Sequence, residues 1–127
     1  MEKTNYVDGF VLVVPKDKVA EYKKMARGGA KIWKKYGALD YKECMGDDLN
    51  PNMGEASSLT FIELAKVKNN ETVWFSYITY KSKKHRDQVN KKVMAEMDKQ
   101  AEKYKDIKMP FDIKRMAVGG FKVVVSS

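Results

Sequence analysis

Residues 72–80 read Thr72-Val73-Trp74-Phe75-Ser76-Tyr77-Ile78-Thr79-Tyr80. Aromatic and β-branched side chains without Gly or Pro predict a strand, because they pack well on a pleated surface. Alternation sends Val73, Phe75 and Tyr77 to one face and Trp74, Ile78 and Tyr80 to the other. Both faces of this strand are therefore apolar. Ser82 follows as an N-cap for a helix over 83–104. Its apolar stripe is His85, Val89, Val93, Met97, Ala101 and Tyr104.

Working outward, residues 6–14 predict a first strand rich in Val and Phe, ended by Pro15. Residues 16–37 predict a helix with Val19, Tyr22, Ala26, Gly29, Trp33 and Tyr36 on one stripe. Asp17 and Glu21 suit its start and Gly37 its stop. Gly28 and Gly29 inside it cost about 1 kcal/mol each relative to Ala, which suggests close packing or a kink. Residues 38–47 predict a second, more polar strand, and residues 48–58 a loop. Residues 59–67 fit a short helix or an irregular strand, and Asn69-Asn70 a turn. Pro110 closes the connection after the second long helix. Residues 113–125 predict a last strand in which Gly119-Gly120 suggests a bulge. The order β-α-β-β-α-β predicts an α+β, ferredoxin-like single domain over 1–127. Two helices would cover one face of a four-stranded antiparallel sheet.

The other face sharpens the expectation. The first and last strands are apolar on both sides, like the third. Val7, Val11 and Val13 oppose Phe10, Leu12 and Val14, and Met116, Val118 and Val124 oppose Phe121, Val123 and Val125. Two helices suffice for one face only, and a large bare apolar patch is rare on a monomer. A homodimer packed sheet to sheet about a twofold axis is the simplest cover.

Composition narrows the class. The chain has 127 residues, the size of one ordinary domain. Its apolar content of 43% is that of a globular protein. No run approaches the roughly 18–20 apolar residues of a membrane helix, and no secretory leader is recognisable. A cytoplasmic protein is expected. The single Cys44 can form neither an internal disulfide nor a cysteine zinc cage. No phosphate-cradling glycine motif and no nucleophile elbow is present, so no cofactor and no metal are expected.

Several segments carry a resemblance. They are Tyr6-Val7-Asp8-Gly9-Phe10 with Val14-Pro15-Lys16, and Gly37-Ala38-Leu39 with Glu43-Cys44 and Gly46-Asp47-Asp48. Further along come Thr72-Val73 with Phe75-Ser76, and His85-Arg86-Asp87 with Val89-Asn90 and Lys92-Val93-Met94. Met109-Pro110-Phe111-Asp112, Lys114-Arg115-Met116 and Gly119-Gly120-Phe121 complete the set. In that order, over essentially the whole chain, they resemble the YbaA-like bacterial family of unknown function. That family falls in the dimeric α/β-barrel superfamily of ferredoxin-like folds. The resemblance implies a homodimer whose sheets form a barrel, with pockets between sheet and helices, and no established reaction.

His85, the lone histidine, lies on the apolar stripe in the first turn of its helix, where the dipole disfavours the imidazolium. It is a candidate general base or ligand hydrogen-bonder, set against a packed structural histidine. Asp8 interrupts an apolar strand and needs a partner, for which Arg115 on the neighbouring last strand is a natural choice. It is the second catalytic candidate. His85, Asn90, Trp74, Tyr77 and Arg115 are the ligand-binding candidates. Glu43, Asp47 and Asp48 match no metal loop and read as a solvated edge. Cys44 reads as a small buried hydrophobe.

The net charge is +8. Residues 16–37 hold eight Lys and Arg against two acidic residues, and residues 83–104 hold seven against four. The excess falls on helix faces, an ordinary soluble surface. RNA recognition modules share this topology but read RNA with aromatics on an open sheet. The Gly119–Val124 stretch has one aromatic where that motif needs three, so nucleic acid is disfavoured as a partner. The leading expectation is a homodimer that binds or transforms a small organic molecule between sheet and helices. The alternatives are an RNA binder working through basic helix faces, or a purely structural or regulatory dimer.

Overall fold

The computed structural model describes residues 3–50 and 58–127. Strand β1 (Tyr6–Pro15) leads through a 3-10 turn at Lys16–Lys18 into helix α1 (Val19–Lys35). Strand β2 (Asp40–Met45), helix α2 (Phe61–Ala65) and strand β3 (Glu71–Tyr80) follow. Helix α3 (Lys83–Lys99), helix α4 (Ala101–Tyr104), a 3-10 turn at Ile113–Arg115 and strand β4 (Ala117–Lys122) complete the order. The strands form one antiparallel sheet in the order β2-β3-β1-β4, so the fold is α+β. β1 and β3 pair along ten residues, from Tyr6 opposite Tyr80 to Pro15 opposite Glu71.

This register decides which side chains meet the helices. Leu12, Val14 and Trp74 pack with Tyr22 and Ala26 of α1. Ile78 and Tyr80 pack with Val89 and Val93 of α3 and with Ala38. Each large side chain so buried contributes about 1.5–3 kcal/mol. The buried positions of each helix, Tyr22 and Ala26 in α1 and Val89 and Val93 in α3, lie on the stripes read from sequence. Local signals set the helix ends as expected. Ser82 Oγ accepts from the His85 backbone N–H at 3.0 Å and caps α3. Gly37 has φ +113°, a left-handed conformation that ends α1 with the Ala38 N–H donating to the Trp33 carbonyl.

Four expectations change. Residues 59–67 resolve to the short helix α2, opened by a capping box between Thr60 and Glu63. The second long helix stops at Lys99 instead of 104, and Met97 and Tyr104 stay exposed, because no sheet lies beneath that end to bury them. The last strand is limited to Ala117–Lys122 and carries no bulge, since Gly119 faces Gly9 and Gly120 faces Asp8 in unbroken register. The glycines make room for rings instead. A Cβ on Gly120 would lie 2.9 Å from carbons of the Tyr6 ring, and one on Gly9 would touch Phe121 at 3.4 Å. Cys44 is exposed, not buried, because it stands opposite Phe75 on the sheet face that the long helices do not cover. Of the loop read at 48–58, residues 51–57 lie outside the described residues.

The second face is partly covered from within the chain. α2 packs on β1 and β3, and the Phe61 ring meets Phe75 edge-on at 6.4 Å. Val13 and Val73 are buried at that end. Beyond it Phe75, Val118 and Phe121 remain exposed.

Gly28 and Gly120 should respond oppositely to alanine. A Cβ on Gly28 meets nothing within 4 Å, so Gly28→Ala should stabilise by up to about 1 kcal/mol. Gly120→Ala must displace the Tyr6 ring and should destabilise by about 1–3 kcal/mol. Chemical denaturation of the two variants measures both signs.

Candidate functional site

A cavity of about 350 Å³ lies between α1 and the β2-β3 half of the sheet. Helical spacing brings Lys23, Ala26, Arg27 and Ala30 to one side of α1, above it. Tyr41, Glu43 and Met45 of β2 alternate with the residues of the opposite sheet face, and Trp74 of β3 completes the lining.

Glu43 is the chemical centre of this wall. Its Oε1 accepts the Tyr22 hydroxyl at 2.7 Å and also the Ser76 hydroxyl. Its Oε2 accepts the Tyr41 hydroxyl at 2.7 Å. Burial first, and the Glu43 carboxylate second, push both tyrosine hydroxyls far above their ordinary range, so they keep their protons and donate. A carboxylate offers about four acceptor sites. Three hydroxyls occupy three of these and leave acceptor capacity for a ligand. Trp74 is held by its indole N–H, which donates to Thr72 Oγ1 at 2.9 Å, and by the Tyr22 ring at 4.9 Å.

Glu43 is the residue that sequence reading misplaced. Asp47 and Asp48 are exposed, as a solvated edge requires, but Glu43 is half-buried on the helix side. Its neighbours Tyr22 and Ser76 lie 21 and 33 residues away, so no local motif announces the cluster. The available signal was parity, since Tyr41, Glu43 and Met45 alternate away from the exposed Lys42 and Cys44.

The other candidates are dispersed. Asp8 is buried and pairs with Arg86 at 2.7 Å, not with Arg115. The reason is parity again: Asp8 shares the helix face of β1 with Leu12 and Val14, under α3, which carries Arg86. Burial pushes its carboxyl upward against the pull of the Arg86 guanidinium. Arg86 also covers the Tyr6 ring, 5.0 Å from its centroid. Arg115 instead grips Glu71 through two bonds of 2.7 and 3.1 Å, at the far end of the sheet from Asp8. Asn90 Oδ1 accepts from the Trp33 indole at 3.1 Å and from the Tyr80 hydroxyl at 3.3 Å, joining α1, β3 and α3.

His85 accepts the Lys81 backbone N–H on Nδ1 at 3.0 Å, which leaves the ring proton on Nε2 when the imidazole is neutral. Its ring stands edge-on to Tyr80 and beside Gly37, away from the cavity lining. Tyr77 lies on the other sheet face. There a shallow hollow of about 600 Å³ is bounded by residues such as Val7, Val11, Phe75, Tyr77, Val118 and Phe121. Of the five ligand-binding candidates, Trp74 alone touches the Glu43 cavity.

Comparison with known proteins gives a family without a reaction. Residues 5–113 match the model of a family described as a protein of unknown function, DUF1428. The chain is 40% identical over 120 residues to the uncharacterized protein YbaA of Escherichia coli strain K12, covering 94% of this chain and 97% of that one. The uncharacterized YbaA of Shigella flexneri matches to the same extent. Among solved structures, a de novo designed protein, Foldit4, aligns with a TM-score of 0.41 at 12% identity, over 96% of this chain and 99% of that one. At that score the likeness carries no argument.

Two ion pairs yield expectations. Asp8→Ala strips a partly buried guanidinium of its carboxylate and should cost about 2–4 kcal/mol of unfolding free energy. The Arg115 guanidinium holds the Glu71 carboxyl down to about 2, well below its ordinary value. A depressed carboxyl stabilises the fold above its unfolded pKa, and that stability is lost as pH falls from about 4.5 towards 2. Carbon NMR titration of Glu71 should therefore show a midpoint near 2, and Arg115→Gln should return it to the usual carboxylate range.

Proposed function

The chain belongs to the DUF1428 family of proteins of unknown function, and on that premise we propose that it is a small-molecule-binding homodimer with a pocket in each subunit. The observation that carries the pocket is Glu43, a carboxylate held by three hydroxyls in the wall of a cavity between helix and sheet. A cavity of this size falls in the range of small-ligand sites, and polar groups converging on apolar walls are their usual chemistry. Glu43 serves as the acceptor for the ligand, or as the base if the ligand is transformed. Tyr22, Tyr41 and Ser76 orient it.

The strand order β2-β3-β1-β4 supports the reading of residues 1–127 as one ferredoxin-like domain, and the bare half of its second face supports the barrel-like dimer. An RNA reader of this topology would also present aromatics there, and Phe75, Tyr77 and Phe121 do share that face. Residues 75–80 even run aromatic, small, aromatic, aliphatic, any residue, aromatic, as the RNA-reading motif does. Charge decides between the two occupants. Among the described residues no Lys or Arg lines the hollow, and Lys42 beside Tyr77 is paired with Asp40, whereas nucleic acid binding draws its affinity from cations on phosphates. Sheet-to-sheet pairing also keeps the basic helices on the outside of the dimer, where their like charges stay far apart.

Native mass spectrometry should find two subunits, and Phe75→Asp with Phe121→Asp should give a folded monomer. A wild-type monomer would sink the dimer. Single-stranded RNA should leave tryptophan and tyrosine fluorescence unchanged at low salt. Glu43→Gln should keep the fold while weakening any ligand that donates a hydrogen bond there by about tenfold, the worth of one bond to a charged group.

A further inference from the structure

The cavity's two cations are unbalanced. Lys23 and Arg27 stand one helical turn apart on α1, at the rim of the cavity that Glu43 lines. Both residues are exposed, so they form the mouth and not the floor. Among the described residues neither makes a hydrogen bond or an ion pair with an acidic side chain. Glu43 is the one carboxylate among the described residues that line the cavity, yet it is engaged by Tyr22, Tyr41 and Ser76, all neutral donors. The hydroxyls satisfy it deep in the wall, and the positive charge at the mouth is left for something else.

The space between is an open, mostly apolar cleft. Ala26 and Ala30 offer only methyl groups from the helix, and the Trp74 indole behind them is immobilised by its own hydrogen bond and the Tyr22 ring. A rigid planar ring settles into such a cleft with little loss of conformational freedom. One end of that ring meets an acceptor and the other meets two cations. We infer that the pocket takes a small planar organic acid, its anionic group held by Lys23 and Arg27 and a hydrogen-bond donor at its inner end given to Glu43. This inference rests on the pocket reading proposed above and adds the class of ligand. Arg27, with its planar fork, suits a carboxylate in two parallel bonds, and Lys23 adds a point charge.

The probe is para-hydroxybenzoate, which carries both groups at opposite ends of one ring. Amide NMR shifts of the full-length chain are followed during titration with this acid, with its neutral methyl ester and with benzoate, which lacks the hydroxyl. The acid should shift amides of residues 23–30, 41–45 and 74–76 in a saturable way. It should bind about tenfold more tightly than either analogue, the worth of one charge-assisted bond. Lys23→Gln with Arg27→Gln, both surface changes that spare the core, should remove the preference for acid over ester. Glu43→Gln should remove the preference for hydroxybenzoate over benzoate. Equal binding of acid and ester at these residues would overturn the anion assignment and leave the pocket standing. Shifts scattered over the lysines of both helices and unchanged in the double variant would overturn it as diffuse charge attraction. No shift with any of the three probes at millimolar concentration would overturn both the ligand class and the pocket.

Discussion

The ten-residue antiparallel ladder between β1 and β3 is the constraint on which the rest depends. Side chains alternate along a strand, so one register assigns every residue of both central strands to a face. It puts Asp8, Leu12, Val14, Trp74, Ser76, Ile78 and Tyr80 under the helices and Val11, Phe75 and Tyr77 on the other side. A slip of β3 by one residue against β1 would bury Phe75 and Tyr77 and expose Trp74 and Tyr80. It would also turn Ser76 away from Glu43. The ladder thus determines the core, the polar cluster and the bare face together.

Polar groups inside such a core must be paired, and the two clusters solve this differently. Around Asp8 the solution is charge against charge, with Arg86 reaching in from α3 and stacking on Tyr6. That arrangement satisfies itself and offers little to a ligand. Around Glu43 the donors are neutral hydroxyls, and the cations of α1 stay at the cavity mouth. A buried ion pair closes a site, whereas a hydroxyl-supported carboxylate beside a cavity keeps one open. This contrast is why the candidate centre moves from Asp8 and His85 to Glu43.

Some of the site was legible beforehand. Trp74 belonged on the helix face by alternation from Thr72 to Tyr80, and it lines the cavity there. The need for an Asp8 partner was also plain, because a carboxylate in an apolar strand cannot stand alone. The identity of the partner was not. Arg115 lay on the neighbouring strand in sequence logic, but β4 starts only at Ala117, after the 3-10 turn at Ile113–Arg115, and that turn carries Arg115 to Glu71. Glu43 looked like one of three surface acids because its hydroxyl partners come from α1 and β3 as well as β2.

Periodicity, caps and breakers by themselves determined the elements: the stripe of α1, the Ser82 cap, the Gly37 stop and the aromatic strand at 72–80. These are local properties, set by backbone geometry and by which side chains must leave water. Tertiary structure alone decided which polar groups meet. Those contacts join residues tens of positions apart, and only strand order, register and helix placement bring them within hydrogen-bond reach. The sequence therefore spoke clearly about a sheet apolar on both faces. The folded chain was needed to show that α2 covers one end of the second face, and that Glu43 waits between helix and sheet.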